Sequence, residues 1–148
     1  MTDLFSLEGK AALVTGGGSG LGQAIAVGLA SAGARVAVTG RDLSKLNETV
    51  NMITETGASA VAIEMDILDS DSVNDAVSRA VEEFGQIDIL VNSAGVHLKK
   101  QTLEVTDEEW TRVIDTNLTG SFRVCRAVAT QIVFEPDMPG YSVCSMIT

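Results

Sequence analysis

The sequence contains little cysteine and no segment typical of export. Its two cysteines, Cys125 and Cys144, have neither the spacing of a disulfide framework nor that of a metal site. We expect both to be reduced thiols in the core of an intracellular protein. The first ten residues lack a basic stretch followed by an apolar one, so no secretory signal is predicted. These features together predict a cytoplasmic protein.

Positive charge and long apolar runs are also scarce. Lys and Arg total 10 against 20 Asp and Glu, which gives a formal net charge of −10. Such a surface repels nucleic acid and anionic lipid, so we expect neither as a partner. Gly and polar residues interrupt the most apolar region, residues 11–34, before it reaches membrane-spanning length. The single histidine, His97, has no neighbouring ligand spacing, so no metal site is predicted.

The sequence does contain a repeated alternation of short apolar strands and longer helices. Strands are predicted over residues 11–15, 35–39, 60–64, 87–91 and 142–146. Helices are predicted over residues 20–32, 42–56, 70–84 and 118–133, and a capping box at 106–109 begins one more. Nearly continuous apolar strands are typical of a parallel sheet buried on both faces. We therefore expect one α/β domain spanning residues 1–148, built from right-handed βαβ units.

The strongest functional signal lies between the first strand and its helix. Residues 15–22 read T-G-G-G-S-G-L-G, a T-G-x-x-x-G-x-G pattern rather than G-x-G-x-x-G. Glycines let the backbone turn tightly and approach a pyrophosphate, and a helix N-terminus offers unpaired N–H groups. The pattern predicts a dinucleotide site, and the alternative is a glycine-rich turn that binds no ligand.

With this motif the sequence resembles the short-chain dehydrogenase/reductase family. The other landmarks of the resemblance occur in order along the chain: Asp66 after the third strand; Asn92, Ser93, Ala94 and Gly95 after the fourth; Trp110, Asn117, Leu118 and Gly120 in the helical region; and Ser145 at the end of the fifth strand. Ser93 departs from the commoner second asparagine of the family. The resemblance implies a doubly wound, Rossmann-type parallel sheet in strand order 3-2-1-4-5, incomplete relative to the family.

The resemblance also implies residue roles. The pyrophosphate and adjoining ribose are assigned to Gly16, Gly18, Ser19, Gly20, Leu21 and Gly22. The adenosine side of the cofactor is assigned to Asp66, Ile67, Asn92 and Ala94. Ser145 would hydrogen-bond the substrate oxygen, and Asn117 would position a proton relay. From the residues alone, Asp66 also fits a turn cap, Asn117 a helix kink and Ser145 a buried strand hydroxyl.

Arg41 bears on the choice of dinucleotide. The second strand ends in Thr39-Gly40-Arg41-Asp42, with Gly where an NAD-type acid would accept the ribose 2′-OH. A guanidinium can bind a phosphate bidentately, so we expect NADP to be preferred over NAD. The alternative is that Arg41 is a solvated loop charge and Asp42 caps the next helix.

The family's catalytic Tyr-x-x-x-Lys pair does not occur in this sequence. Its one tyrosine, Tyr141, precedes Ser145, and its last lysine is Lys100. The first hypothesis is hydride transfer between NAD(P) and a secondary alcohol or ketone. The substrate would be of sugar-acid or 3-oxoacyl type, because residues 4–10 are similar to the start of sugar-acid dehydrogenases and 3-oxoacyl reductases begin comparably. The second is a non-catalytic dinucleotide- or partner-binding module, and a methyltransferase is the third. We expect a homo-oligomer or association with a complementary chain, because the fifth strand would otherwise be an uncovered edge.

Overall fold

The computed structural model describes residues 4–133 and 146–147. Strands and helices alternate in it along the chain. The elements in order are β1 (Ala11–Thr15), α1 (Gly20–Ser31), β2 (Arg35–Gly40), α2 (Leu43–Thr54), β3 (Ala60–Glu64), α3 (Ser70–Phe84), β4 (Ile89–Asn92), α4 (Asp107–Ile114), α5 (Ser121–Val133) and β5 (Met146–Ile147). A short 3₁₀ turn (Thr102–Glu104) precedes α4, and a π-helical segment (Asp115–Gly120) joins α4 to α5.

The strands form one parallel sheet in the order β3-β2-β1-β4-β5. This order confirms the predicted doubly wound, Rossmann-type fold. The register aligns the carboxyl ends of the central strands, because Thr15 of β1 lies opposite Thr39 of β2 and Asn92 of β4. The loops that follow these strands therefore gather at one edge of the sheet. The strand order changes direction at β1, because β2 and β3 lie on one side of it and β4 and β5 on the other. In open α/β sheets, ligands bind at such a point.

Two apolar layers cover the sheet, one on each face. Alternate side chains of β1 point to opposite faces, so Ala11 and Leu13 pack with α3 and α5, while Ala12 and Val14 pack with α1 and α2. All four are at most 1% exposed. Burial on both faces explains why the strands read as continuous apolar runs.

Helix ends follow the local sequence signals closely. Asp42 accepts a hydrogen bond from the Lys45 N–H at the start of α2, and Asp69 accepts bonds from two N–H groups at the start of α3. The capping box before α4 is confirmed, since Thr106 and Glu109 each bind the other's backbone N–H. These contacts satisfy N–H groups that have no partner within the helix.

Several boundaries differ from expectation by one to three residues, among them both ends of α2, and one buried face differs as well. β4 begins at Ile89 rather than at residue 87, and residues 118–120, predicted as part of α5, belong to the π-helical segment. Helical spacing predicts an apolar stripe of Phe122, Cys125, Val128 and Ile132 on this helix. The stripe is wrong at Phe122, which is 59% exposed, whereas Val128 is buried together with Val124 and Ala127.

The predicted fifth strand is described only in part. Met146 and Ile147 pair with Leu90 and Val91 of β4. Residues 142–145 of the prediction lie outside the described residues. Within the described residues, no helix is both long enough and apolar enough to cross a membrane.

Candidate dinucleotide-binding site

A cleft of about 690 Å³ opens at the carboxyl edge of the sheet. The predicted site residues that line it are Gly16, Gly18, Ser19, Leu21, Gly22, Arg41, Asp66, Ile67 and Ala94. Further lining residues that sequence reasoning did not single out include Lys45, Leu68, Val96, Arg112 and Thr116. The cleft therefore joins the loops after β1, β2, β3 and β4 to the α4 region.

The glycine loop is packed tightly against its neighbours. Gly16 has a φ of +66°, a conformation that favours glycine, and a Cβ there would lie 2.9 Å from the Ala94 Cα. A Cβ on Gly18 would lie 3.1 Å from the Lys45 Cβ. The loop is also tied to the sheet and to α2, because Gly17 N–H donates to the Thr39 carbonyl and Thr49 Oγ1 donates to the Gly17 carbonyl. The backbone of this loop is thus held in place without its own side chains.

The N-terminus of α1 faces the same loop. Ser19 is its N-cap, and among the described residues no backbone N–H bonds to the Ser19 side chain as a cap. The first turn of α1, which lies wholly in the described part of the chain, contains no acidic residue. Unpaired N–H groups and the positive end of the helix dipole favour an anion at this point.

Thr15 joins the glycine loop to the loop after β4. Its Oγ1 accepts hydrogen bonds from the backbone N–H of Ser93 at 3.1 Å and of Ala94 at 3.0 Å. Thr15 is 1% exposed, so these bonds are shielded from water. The loops after β1 and β4 are consequently held together as one wall of the cleft.

Asp66 caps a turn and also lines the cleft. Its Oδ1 accepts from the Leu68 N–H at 2.9 Å, which is the turn cap considered above, while the residue also lines the cleft. Ile67 beside it is held from behind, since Arg123 Nη1 donates to its carbonyl at 3.4 Å. A Cβ on Gly120 would lie 2.8 Å from the Ile67 Cδ1, so the π-helical segment packs directly on this loop.

Asn92 and Gly20 do not line the cleft. Asn92 is 6% exposed, and its Nδ2 donates to the Cys125 Sγ at 3.2 Å. Its Oδ1 is buried, with no hydrogen-bond donor among the described residues. Asn92 therefore lies beneath the loop after β4, at the contact of β4 with α5.

The two predicted catalytic residues have different outcomes. The Asn117 side chain exchanges two hydrogen bonds with the Val96 backbone, each 2.8 Å long. The backbone carbonyl of Asn117 accepts a hydrogen bond from the Ser121 Oγ, also at 2.8 Å. Asn117 lies in the π-helical segment between α4 and α5. Ser145 lies outside the described residues.

Arg41 and Asp42 connect the end of β2 to the start of α2. Arg41 lines the cleft and is exposed, as expected of a residue that could contact a ligand phosphate. Asp42 caps α2, as the alternative interpretation of this turn required. Sequence reasoning missed Lys45, although its position three residues after an N-cap acid places it in the first turn of a helix that begins at this edge.

Among the described residues, no three His, Cys, Asp or Glu side chains cluster closely enough to bind a metal ion. His97 is exposed in the loop after β4.

A family model for short chain dehydrogenases matches residues 10–139. The chain belongs to the short-chain dehydrogenase family. The match confirms the resemblance carried by the glycine motif and leaves the methyltransferase alternative without support.

Individual short-chain dehydrogenases agree with this assignment. A 2-dehydro-3-deoxy-D-gluconate 5-dehydrogenase from Escherichia coli (strain K12) is 38% identical over 129 residues, covering 87% of this chain and 50% of that protein. A short-chain type dehydrogenase/reductase structure from Mycobacterium marinum has a TM-score of 0.84 at 38% identity, covering 88% of this chain and 53% of that one. An actinorhodin polyketide ketoreductase solved with NADPH has a TM-score of 0.79 at 38% identity, covering 82% and 47%. The chain thus spans about half the length of these relatives.

Proposed function

We propose that this chain forms the dinucleotide-binding part of an NAD(P)-dependent short-chain dehydrogenase. The observation that carries the proposal is the glycine loop, which opens at the N-terminus of α1 into a cleft also lined by Arg41 and Asp66. The glycine loop would recognise the pyrophosphate, Arg41 the ribose and Asp66 the adenine. The reaction proposed is hydride transfer between the cofactor and a secondary alcohol or ketone.

The described residues fit a dinucleotide on physical grounds. Gly16, Gly18 and Gly22 leave backbone rather than side chains facing the cleft, so phosphate oxygens can approach N–H groups. The N-terminus of α1 lies beside them without a competing acid in its first turn. Asp66 and Ile67 form the far wall, where a planar base could be bounded by a carboxylate and an apolar side chain.

The chain's own residues would bind and orient the cofactor, whose nicotinamide supplies or accepts the hydride. Thr15 holds the Ala94 backbone in place, and Ala94 bounds the cleft beside the glycine loop. Asn117 fixes Val96, the next residue but one, through both polar atoms of its amide. We assign Asn117 to the positioning of this wall, and Ser145 to the hydrogen bond with the substrate oxygen.

Catalysis requires an acid/base group near that oxygen, and Tyr-x-x-x-Lys does not occur in these 148 residues. A non-catalytic dinucleotide-binding module is therefore the second candidate. Adding a downstream segment with Tyr-x-x-x-Lys separates the two. Ketone reduction that appears with this segment supports the enzyme, whereas binding without reduction across a broad panel of ketones supports the module.

The substrate class we propose is a sugar acid or its keto derivative. The similarity to 2-dehydro-3-deoxy-D-gluconate 5-dehydrogenase supports it, together with residues 4–10 at the start of the chain. The similarity to a polyketide ketoreductase supports the alternative, a 3-oxoacyl substrate. Reduction rates with both classes, measured on the extended protein, distinguish them.

We propose NADP as the preferred cofactor, with NAD as the alternative. Arg41 follows Gly40 at the end of β2, and both line the cleft. A guanidinium at this point favours a 2′-phosphate, and glycine offers no carboxylate to a ribose 2′-OH.

The first experiment is a titration of NADPH and NADH into the purified chain, with thermal unfolding and nicotinamide fluorescence followed together. A ligand at one hundred times its Kd adds about 2.7 kcal/mol to the free energy of unfolding of a folded binder. We expect a larger shift with NADPH, and we expect Arg41→Met to reduce that difference. Arg79→Met, which removes an exposed charge from α3, is the matched control. Unfolding that responds to neither cofactor would refute the proposal.

The expected association with a second chain is part of the proposal. Trp110, Leu118 and Phe122 are 62%, 65% and 59% exposed along α4, the π-helical segment and α5. Large apolar side chains in such a row are typical of a covered surface. Phe122→Lys should lower the mass measured by analytical ultracentrifugation if this surface joins two copies, and an unchanged mass would place the contact elsewhere.

A further inference from the structure

Lys45 lies beside the glycine loop although it belongs to α2. Its Cβ is 3.1 Å from the point where Gly18 would place a Cβ, and its side chain lines the cleft with Arg41. The Lys45 side chain is 59% exposed, so its ammonium can move toward a ligand without losing a buried position. Two cations from different elements therefore border the same end of the cleft.

Asp42 follows Arg41 in the chain, and its carboxylate is already engaged by Lys45. Its Oδ1 accepts from the Lys45 backbone N–H at 3.2 Å, and its Oδ2 lies 3.8 Å from the Lys45 Nζ. The carboxylate thus serves as the cap of α2 and as the counter-ion of Lys45. An acid held in this way is poorly placed to accept a hydrogen bond from a ribose hydroxyl.

We propose that Lys45 is a second phosphate-binding cation, which acts with Arg41 to select a dinucleotide bearing a phosphate on its adenosine ribose. This inference rests on the proposed dinucleotide function and adds a specificity-determining residue to it. Arg41 offers a planar fork of donors, and Lys45 offers a compact charge on a flexible stem. A phosphate dianion can bind both cations at once, and the Asp42 carboxylate competes with it for the Lys45 ammonium.

The competition predicts opposite effects for two substitutions. Lys45→Met removes the charge and keeps the stem, so it should weaken binding of the phosphorylated ligand alone. Asp42→Asn keeps the capping oxygen, since Asn caps as well as Asp, but it removes the counter-ion of Lys45. It should therefore strengthen binding of the phosphorylated ligand. A residue with a purely structural role would not produce this pair of opposite changes.

The test uses ADP-ribose and 2′-phospho-ADP-ribose, which differ only in the phosphate, titrated calorimetrically into the full chain. We expect the wild-type chain to prefer the phosphorylated ligand. Lys45→Met should reduce this preference about threefold to tenfold, as expected for one charge-assisted contact. Lys45→Arg should retain most of it, and Asp42→Asn should increase it. Lys99→Met removes an exposed lysine that does not line the cleft and should leave the preference unchanged.

Three results would overturn the inference, and they are distinguishable. An unchanged preference in Lys45→Met, or equal weakening of both ligands, excludes Lys45 as a phosphate contact while the dinucleotide site stands. Equal affinity of the wild-type chain for both ligands excludes a phosphate subsite altogether. Binding of neither ligand to the wild-type chain refutes the proposed function itself, and the inference with it.

Discussion

Asn117 and Val96 are joined by two hydrogen bonds, each 2.8 Å long, in which the side-chain amide of one residue pairs with the backbone N–H and carbonyl of the other. The pair links the π-helical segment to the loop after β4, twenty-one residues earlier in the chain. The cleft is lined by Val96 and by Ser93, Ala94 and Gly95 before it. The shape of the cleft wall therefore depends on a side chain that does not itself line the cleft.

Removing the Asn117 amide should loosen this wall. We expect Asn117→Ala to lower the free energy of unfolding by about 1–3 kcal/mol, because two backbone groups lose their partner. NADPH affinity should fall as well, since the loop bearing Val96 is no longer held. Urea unfolding and NADPH fluorescence titration measure the two effects. Asn74→Ala, at an exposed position of α3, is the matched control, and equal effects of the two substitutions would contradict the prediction.

Gly16 should tolerate no side chain. Gly16→Ala introduces a Cβ at 2.9 Å from the Ala94 Cα, in addition to the strain of a positive φ. Gly85 has a similar φ of +83° with open space around it, so Gly85→Ala reports the strain alone. We expect about 1–2 kcal/mol of destabilisation for Gly85→Ala and about 1–3 kcal/mol more for Gly16→Ala. Denaturant midpoints compare them, and the prediction fails should the two variants prove equally stable.

Ile67 and Gly120 should show energetic coupling. A Cβ on Gly120 meets the side chain of Ile67, so Gly120→Ala should destabilise the fold by about 1–3 kcal/mol. Ile67→Ala removes the obstructing atoms and leaves a gap that the new methyl group can partly fill. The double variant should therefore be more stable than the sum of the single effects predicts. A double-mutant cycle of urea unfolding tests this, and strict additivity would argue against direct packing.

The stability of the sheet should depend on the ionisation of Asp88. Burial works to raise the pKa of this carboxyl, but hydrogen bonds from the Ala11 N–H, the Gln86 amide and the Lys10 ammonium outweigh it and hold the pKa below its usual range. A carboxyl with a depressed folded-state pKa adds stability above its unfolded-state pKa. That stability is lost as the pH falls through the lower, folded-state value.

Asp88→Asn should accordingly destabilise the chain at neutral pH. The difference from wild type should begin to shrink as the pH falls through about 4, where the unfolded-state carboxyl is protonated, and should vanish as the pH passes the lower folded-state pKa. Unfolding curves recorded from pH 7 to pH 3 give this profile. Asp75→Asn, which removes an exposed acid from α3, is the matched control. A difference for Asp88→Asn that is independent of pH would show that shape, and not charge, matters at this position.

The architecture could be predicted because its signals are local. Apolar runs predict buried strands, and capping residues such as Thr106 and Asp69 mark where helices begin. These features depend on a few neighbouring residues and on the period of the hydrophobic pattern. The glycine motif at residues 15–22 is equally local, since its conformation and its place before α1 are set within one turn of chain.

Local patterns were therefore enough to predict the order of strands and helices, the family and the glycine loop that lines the cleft. Three features emerge only in the folded structure: Asn92 lies beneath the cleft, Phe122 is exposed and Lys45 lies beside Gly18. Each of these depends on how separate elements meet. Packing between elements decides which face of α5 meets the sheet and how closely α2 approaches the glycine loop. Such relations join residues far apart in the chain, where no local pattern records them.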